Sequence, residues 1–359
     1  MSRTIIYTSV EQQVERLKSQ NLIINDEQFA CDMLKLYGYS NLIKSYRDPY
    51  IVMDRHGKKS YRANVTFEQI CSLYLFDKNL RNAVMATMLD FEEHIKEIVA
   101  NVVADSFGIH QDEYLNFSNY SDRRVRDERF SLSYVLNSMK EALRFGRSPV
   151  SHYKQIYNLV PPWILFKNVY FGTIVNFYDK FKRPEKLKAA SLLYNMEDVT
   201  ISDDSLVKLM RDTLFICYEY RNLVAHGGRT YNHQCSSSLR GEEIFGSDYI
   251  NQGKGINQLL LLLELVHYTH PFSYLNGILS NEVSRHCNDF PQDMTYLGQV
   301  LNINIELKNF VYSLPTSARY HTNPNCSGMV DSIQIELHDA EKEGLSACKK
   351  CAQNIIPIV

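Results

Sequence analysis

The chain lacks several features that mark common protein classes. Its 359 residues include only 15 glycines and 10 prolines, which excludes collagen-like and linker-rich chains and disfavours an all-β fold with many tight turns. The 39 basic and 41 acidic residues nearly cancel, so a uniformly basic protein that coats nucleic acid is also excluded. A polyanion would therefore have to bind a local patch.

Long apolar runs are missing as well. The most apolar run, Leu259 to Leu263, ends at Glu264 and is far shorter than the roughly 20 residues needed to span a bilayer. The first residues, MSRTIIY, show no apolar signal core, and five of the eight cysteines are scattered singly. We therefore expect a cytoplasmic, reduced protein that has no membrane association.

What the sequence does contain is helical periodicity. Apolar residues recur every three or four positions from Phe67 to about Phe107, where Gly108 follows. A second helix is predicted from about Ser205 to His226, because two glycines come directly after it. Shorter helices are predicted after capping boxes (Ser9 with Gln12, Asn25 with Gln28), from Pro161 through Phe181, and over Leu259 to His267.

The end of the second long helix carries residues suited to RNA chemistry. Arg221 and His226 are five positions apart, about 7.5 Å of rise and about 140° of rotation, so both can face one groove at the helix end. Histidine carries protons near neutral pH, and the helix dipole favours its charged form at this end. Arginine offers a permanent charge and a fork of donors for a phosphate.

These residues suit attack of an RNA 2′-OH on the adjacent phosphate without a metal. His226 would move a proton, Arg221 would stabilise the phosphorane charge, and Asn222 would orient the phosphate or the histidine. Alone, the R-x4-H spacing arises often by chance. A structural arginine beside a hydrogen-bonded helix-end histidine is the alternative interpretation.

The sequence around this motif resembles a known family. YRNLVAHGGRTY, starting at Tyr220, resembles the RN-x3-AH-x2-R-x-[WY] block of bacterial abortive-infection (Abi) proteins of the AbiD/AbiF-like type, which carry a HEPN domain. Landmarks upstream resemble the family in the same order: VEQQVERLK before Gly38-Tyr39, YLFDKNLR, FEEHIK, and PPW through FGT. The resemblance covers roughly residues 8 to 232. One departure is Gly227, which stands where the family often has a second histidine.

The resemblance implies an all-α HEPN bundle, usually a homodimer in which the R-x4-6-H residues of two protomers meet. It implies a metal-independent endoribonuclease of phage defence, often the toxin of a toxin–antitoxin pair, with RNA and an antitoxin as partners. Some AbiF-like members look to be partnered with a non-coding RNA. Two alternatives stay open: a HEPN module that binds RNA without cutting it, and an adaptor that recruits a partner through its tail.

Other basic and aromatic residues are candidates for RNA contact. Arg229 would bind a flanking phosphate and Tyr231 would stack a base, with a salt bridge and a core aromatic as the alternatives. The densest basic cluster begins with Lys180, Lys182 and Arg183, where a solvated surface is an equal alternative. The charged stretch at residues 122–129 is predicted to be a solvated face.

The tail contains a metal-binding pattern. His321-x4-Cys326 and Cys348-x2-Cys351 supply four soft ligands in two pairs, which is typical of a structural zinc site. A strand from Ser332 to Leu337 and a short helical turn are predicted between the pairs. The tail resembles the metal-binding domain of Ada-type DNA repair proteins. No metal is expected in catalysis.

The predicted fold is therefore mainly α, a HEPN-type helical bundle with a small C-terminal zinc-binding α+β module. We divide the chain into an N-terminal helical segment (residues 1–62), the HEPN helical domain (63–234), a helical extension (235–312) and the zinc-binding module (313–359). Arg81 and Glu92 are expected to be structural partners within the bundle.

Overall fold

The computed structural model describes residues 7–55, 57–122, 130–195, 201–247, 249–326 and 328–352, and most of them are helical. The predicted charged face at 122–129 lies, apart from its first residue, outside these ranges. Every helix of the described residues is too short or too polar to cross a membrane.

The α-helices are α1 (Val10–Lys18), α2 (Glu27–Tyr37), α3 (Phe67–Phe107), α4 (Gln111–Tyr114), α5 (Leu132–Phe145), α6 (Val150–Tyr157), α7 (Pro162–Leu165), α8 (Phe171–Asp179), α9 (Arg183–Leu193), α10 (Asp203–Ala225), α11 (Gly241–Phe245), α12 (Ile256–Glu264), α13 (His270–Asp289), α14 (Met294–Leu301) and α15 (Leu337–Lys342). The strands are β1 (Ile51–Met53), β2 (Lys59–Tyr61), β3 (Phe310–Ser313), β4 (Arg319–Tyr320), β5 (Ile333–Glu336) and β6 (Ser346–Ala347).

The chain forms two compact units. The first unit is discontinuous and comprises Met1–Phe76, Leu279–Gln299 and Ile303–Val359. The second unit comprises Asp77–Ile278 together with Val300–Asn302, so it is nearly continuous in sequence. The Arg–His motif belongs to the second unit and the cysteine-rich tail to the first.

The helix starts of the first unit follow from local hydrogen bonds. Ser9 and Gln12 form the predicted capping box at the start of α1. The second predicted box is wrong by one residue, because Asp26 caps α2 by accepting a hydrogen bond from the backbone N–H of Phe29. Asn25 instead donates through its backbone and its side chain to Glu68.

A buried polar network stabilises the first unit. The Asp293 carboxylate accepts hydrogen bonds from the Tyr50 hydroxyl at 2.6 Å and the Gln69 amide at 2.9 Å, and it pairs with His286 Nε2 at 2.9 Å. The other ring nitrogen of His286 lies 2.8 Å from Ser72 Oγ. Because both carboxylate oxygens of Asp293 and both ring nitrogens of His286 have partners, these hydrogen bonds offset much of the cost of burying the two groups.

The longest helix, α3, has the predicted bounds, Phe67 to Phe107, and ends at Gly108 in the left-handed conformation. No proline interrupts its apolar stripe, so its backbone hydrogen bonds continue unbroken. Arg81 follows Asp77 by four residues, and Glu92 follows Arg81 by eleven. They therefore lie on one face of the helix.

The segment after Pro161 is not the single helix that was predicted. It contains α7, then a 3₁₀ turn, then extended backbone at Val169 and Tyr170 before α8 begins. Phe166 and Phe171 are 1% and 2% exposed. On one continuous helix these two side chains would point about 140° apart, whereas the break lets both of them reach the core.

The tail forms a small α+β module. Strand β3 pairs antiparallel with β5, and β4 pairs parallel with β6. The predicted strand before a short helix is confirmed as β5 followed by α15. The core of the module is built from five buried side chains, which are Val311, Tyr320, Ala340, Cys348 and Ala352.

Candidate active site and metal cluster

Helix α10 ends in a glycine cap directly after the motif histidine. His226 is the last residue with near-helical backbone, and Gly227 has a φ of +69°. The N–H of Gly227 donates to the carbonyl of Val224 at 3.1 Å, and the N–H of Gly228 donates to the carbonyl of Leu223 at 2.9 Å. This is a Schellman motif, which favours glycine at the left-handed position. A second histidine there would be strained.

Two residues of α3 hold the chain on the far side of this cap. The Arg81 guanidinium donates to the carbonyl of Gly227 at 3.0 Å. The fully buried Asp77 carboxylate accepts hydrogen bonds from the backbone N–H groups of Thr230 and Tyr231 at 2.8 and 2.7 Å. Because carboxylates and guanidinium groups form strong hydrogen bonds, these contacts fix the path of the chain beyond His226.

Arg221 is held from the same helix. Its Nε lies 3.5 Å from Oε2 of Glu92, and the other carboxylate oxygen of Glu92 binds Lys96 Nζ at 2.8 Å. The Arg221 side chain is 31% exposed, while that of Glu92 is only 11% exposed. This ion pair, which has no hydrogen bond between Nε and Oε2, places the arginine beside Glu92 and leaves part of its side chain accessible to a ligand. Arg81 and Glu92 are both partners within the bundle, as predicted.

The three predicted catalytic residues line two cavities. A cavity of about 270 Å³ is lined by Arg221 and Asn222 together with Tyr134, Tyr170 and Tyr218. A second cavity, of about 350 Å³, is lined by Asn222 and His226. Because Asn222 and Tyr218 line both cavities, the two are neighbours along one side of α10. His226 is exposed at the end of the helix.

Gly172 explains how the first cavity is built. A Cβ atom at this position would lie 2.6 Å from the Tyr218 hydroxyl, closer than any real contact. Only glycine therefore lets α8 approach the tyrosine of α10 here. The FGT sequence that resembles the family thus has a steric role beside Arg221 and Asn222.

The structure corrects the predicted base-stacking residue. The Tyr231 ring is buried, at 1% exposed, so it lies in the core and not in a binding groove. Two other tyrosines of the first cavity are accessible, since Tyr134 is 53% exposed and Tyr170 is 84% exposed. No periodicity or motif singled these two out. Arg229 is partly exposed, and its phosphate contact stays a prediction.

The predicted basic cluster is largely paired within the protein. Lys180 is 2% exposed, which corrects its assignment as an RNA-binding side chain. Lys182 donates to the carbonyl of Ser118 at 2.8 Å, and Arg183 pairs with Asp204 at 2.9 Å. Surface pairs of this kind reduce the free positive charge, which favours the solvated-surface alternative for this cluster.

The second cavity contains a histidine and a glutamate that the sequence did not indicate. Glu219 accepts hydrogen bonds from the backbone and the hydroxyl of Ser236, both at 2.7 Å, and from the N–H of Ser237 at 3.1 Å. His233 Nε2 lies 3.2 Å from the same carboxylate. Burial raises the pKa of Glu219, but the hydrogen bonds outweigh it and hold this pKa below its ordinary value. Glu219 lies within the predicted helix α10, where no role was assigned to it, and His233 belongs to a segment predicted only as loop.

The predicted metal ligands come together in the tail module. Ligand atoms of His321, Cys326, Cys348 and Cys351 all lie within 4.8 Å of one another. The N–H of Lys350 donates a hydrogen bond to Cys348 Sγ at 3.4 Å. Three thiols and an imidazole in a closed group of four fit a tetrahedral structural metal ion.

A family model described as "Abi-like protein" matches residues 32–232 of the chain. The match ends one residue beyond Tyr231 and includes α10 with its glycine cap. No curated protein and no solved structure shows a significant match.

Proposed function

Because the chain belongs to the Abi-like protein family, which indicates a role in abortive infection, we propose that it is a metal-independent HEPN endoribonuclease. The observation that carries the proposal is the placement of Arg221, Asn222 and His226 along two neighbouring cavities at the end of one helix. Arginine and histidine are the residue types that stabilise and protonate a phosphodiester undergoing transesterification.

The reaction follows from these side chains. The ribose 2′-oxygen bonds to the adjacent phosphorus while its proton is removed, and the bond from phosphorus to the 5′-oxygen breaks as that oxygen gains a proton. His226 carries one of these protons. Arg221, held at Glu92, stabilises the additional negative charge on the phosphoryl oxygens. The products are a 2′,3′-cyclic phosphate and a 5′-hydroxyl, and no metal ion takes part.

The exposed tyrosines of the first cavity support single-stranded RNA as the substrate. Tyr134 and Tyr170 present accessible rings beside Arg221. Stacked aromatic rings bind unpaired bases without strict sequence preference, whereas a base-paired helix does not expose its base faces. We therefore place the bases in the first cavity and the scissile phosphate beside Asn222.

The test incubates a mixed-sequence single-stranded RNA with the purified protein and with Arg221→Ala and His226→Ala, in the presence of EDTA. We expect cleavage by the wild type, with 2′,3′-cyclic phosphate ends, and a loss of about 10²–10³-fold in each variant. Arg144→Ala, which removes an exposed arginine of α5 outside both cavities, is the control and should cleave normally. Equal cleavage by His226→Ala and wild type would contradict the proposal.

A non-cleaving RNA-binding protein is the second candidate function. The observation that favours it is the accessible tyrosine pair, which binds RNA whether or not the phosphodiester is cut. In that case RNA that co-purifies with the protein stays intact, and Arg221→Ala releases it. A cognate non-coding RNA would be the bound species, and an antitoxin would be unnecessary.

We further propose that the protein is a homodimer and that the tail binds one structural zinc ion. Light scattering should give twice the chain mass of 41.7 kDa. The zinc ion would hold the ends of the module together through His321, Cys326, Cys348 and Cys351, because so small a core cannot fold without a cross-link. Four protein ligands leave no position for catalysis.

A further inference from the structure

We propose that His233, held by Glu219, is the general base of RNA cleavage in this protein and that His226 is the general acid. This inference rests on the proposed function and names the second proton carrier that the reaction requires. Removal of a proton from the 2′-oxygen and delivery of a proton to the 5′-oxygen occur on opposite sides of the phosphorus. Two separate groups perform these steps best.

Both histidines line the same cavity. His226 comes from the end of α10, and His233 comes from the loop seven residues later; Asn222 and Gly228 line the same cavity. The cavity volume of about 350 Å³ falls within the range of small-ligand sites. The cavity is therefore large enough for a phosphodiester and its adjoining sugar atoms.

The position of His233 is fixed on three sides. Its backbone N–H donates to the carbonyl of Thr230 at 3.2 Å, and Thr230 is itself bound to Asp77. Its ring packs edge-on against the buried ring of Tyr220, with 5.4 Å between the ring centres. Its Nε2 meets Glu219 at 3.2 Å. A histidine held this firmly presents its remaining nitrogen in one direction.

Glu219 determines which nitrogen of His233 is free. The carboxylate is oriented by three hydrogen bonds from Ser236 and Ser237, so it accepts the Nε2–H of His233. The neutral imidazole then has its hydrogen on Nε2 and a lone pair on Nδ1. This carboxylate–histidine arrangement is the one that activates a base, because the carboxylate stabilises the imidazolium that forms.

His226 has the surroundings of the complementary acid. It is the C-cap residue of α10, and its exposed side chain lines the same cavity as His233. In the balanced reaction, His233 Nδ1 takes the proton of the 2′-hydroxyl as the bond from oxygen to phosphorus forms. His226 gives its proton to the departing 5′-oxygen, so the charge of the histidine pair is unchanged overall.

The residue directly after His226 is a glycine, so position 227 supplies no imidazole to the cavity. A second histidine at position 227 is disfavoured by the left-handed backbone of Gly227. His233 brings a second imidazole to the same cavity from a different part of the chain. The family match ends at residue 232, so His233 lies just outside it.

The first test compares single-turnover cleavage by wild type, His226→Ala and His233→Gln. Glutamine keeps an N–H donor for Glu219 but cannot carry a proton, so the variant should fold normally and lose about 10²–10⁴-fold in rate. His270→Ala is the matched control, because His270 also pairs with a carboxylate, Asp90 at 3.1 Å, but lines neither cavity. It should cleave like wild type.

The second test assigns the two roles. A substrate whose 5′-bridging oxygen is replaced by sulfur at the cleavage site has a leaving group that needs no proton. It should restore cleavage by His226→Ala and leave His233→Gln slow. Two results would overturn this inference but not the proposed function. One is cleavage of the ordinary substrate by His233→Gln at the wild-type rate. The other is a recovered cleavage rate of His233→Gln on the sulfur substrate. Absence of cleavage by the wild type would overturn the proposed function as well.

Discussion

The Arg81 guanidinium donates a hydrogen bond to the carbonyl oxygen of Gly227, 146 positions later in the sequence, at 3.0 Å. This contact joins α3 to the cap that ends the motif helix. One turn before Arg81, Asp77 binds the next part of the same segment. The FD-x-x-LR sequence therefore supports the Arg–His motif through direct hydrogen bonds.

Replacing Asp77 should disrupt this support. In Asp77→Ala the N–H groups of Thr230 and Tyr231 lose their acceptor inside the protein, and each unpaired buried donor costs about 1–3 kcal/mol. We expect the free energy of unfolding to fall by about 2 kcal/mol or more in urea titrations. Asp77→Asn keeps one acceptor oxygen and should lose less. Equal stability of Asp77→Ala and wild type would show that the contacts contribute nothing.

Replacing Tyr170 should weaken RNA binding without affecting the fold. Its ring is 84% exposed and lines the first cavity, and loss of one stacked base costs about 1–3 kcal/mol. Tyr170→Ala should therefore bind a single-stranded oligoribonucleotide about 5- to 100-fold more weakly in fluorescence anisotropy, with an unchanged melting temperature. Tyr157→Ala removes another exposed tyrosine, on α6, as the control. Unaltered affinity of Tyr170→Ala would exclude stacking there.

The free energy of unfolding should depend on pH through Glu219, which lines the second cavity. Its hydrogen bonds hold its pKa in the folded state below the ordinary value of 4.5, although burial opposes them. The ionised carboxylate therefore stabilises the fold above about pH 4.5, and this stabilisation is lost as the pH falls through the lower folded pKa. Urea unfolding at pH 7 and below pH 4.5 should show a smaller acid-induced loss in Glu219→Gln than in wild type.

An exposed carboxylate provides the control for this pH dependence. Glu141→Gln removes a glutamate on the surface of α5, in the same unit, and should keep the full acid-induced loss. If Glu219→Gln and Glu141→Gln show the same dependence, the hydrogen bonds at Glu219 do not stabilise the folded state.

Removal of the metal should unfold the tail module and spare the helices. Elemental mass spectrometry should find about one zinc ion per chain in the wild type. Cys348→Ser should lose this zinc, whereas Cys31→Ser should keep it. A strong chelator should expose the chain beyond β3 to proteases while the helical circular dichroism signal persists. A protein free of zinc with a protease-resistant tail would contradict the assignment.

Long helices and their ends were predicted well because their signals are local. The predicted bounds of α3 are confirmed, and the end of α10 was predicted at the glycines that cap it. The interruption at Val169 was missed because it depends on where Phe166 and Phe171 must be buried. That is a property of the packed core and not of the local sequence.

The site was predicted only in part, for a related reason. A motif indicates residue types and spacing, but burial decides which side chains reach a ligand. Tyr231 and Lys180 have suitable chemistry and are buried, whereas Tyr170 stands outside any recognised pattern and is exposed. The tail cluster could be predicted because two closely spaced pairs of histidine and cysteine residues determine most of the geometry of a tetrahedral site.

The two units differ in how much of the chain must be synthesised before each unit is complete. Nearly all of the second unit is one continuous segment, Asp77 to Ile278, whereas the first needs residues from both sides of that segment. Translation therefore completes the catalytic candidates of α10 well before Cys351, the last residue of the tail cluster, is made. Because domains fold as units during synthesis, we expect the segment around Arg221 and His226 to fold before the four residues of the tail cluster can come together. Any restraint that depends on the tail cluster therefore begins only after Cys351 has been made.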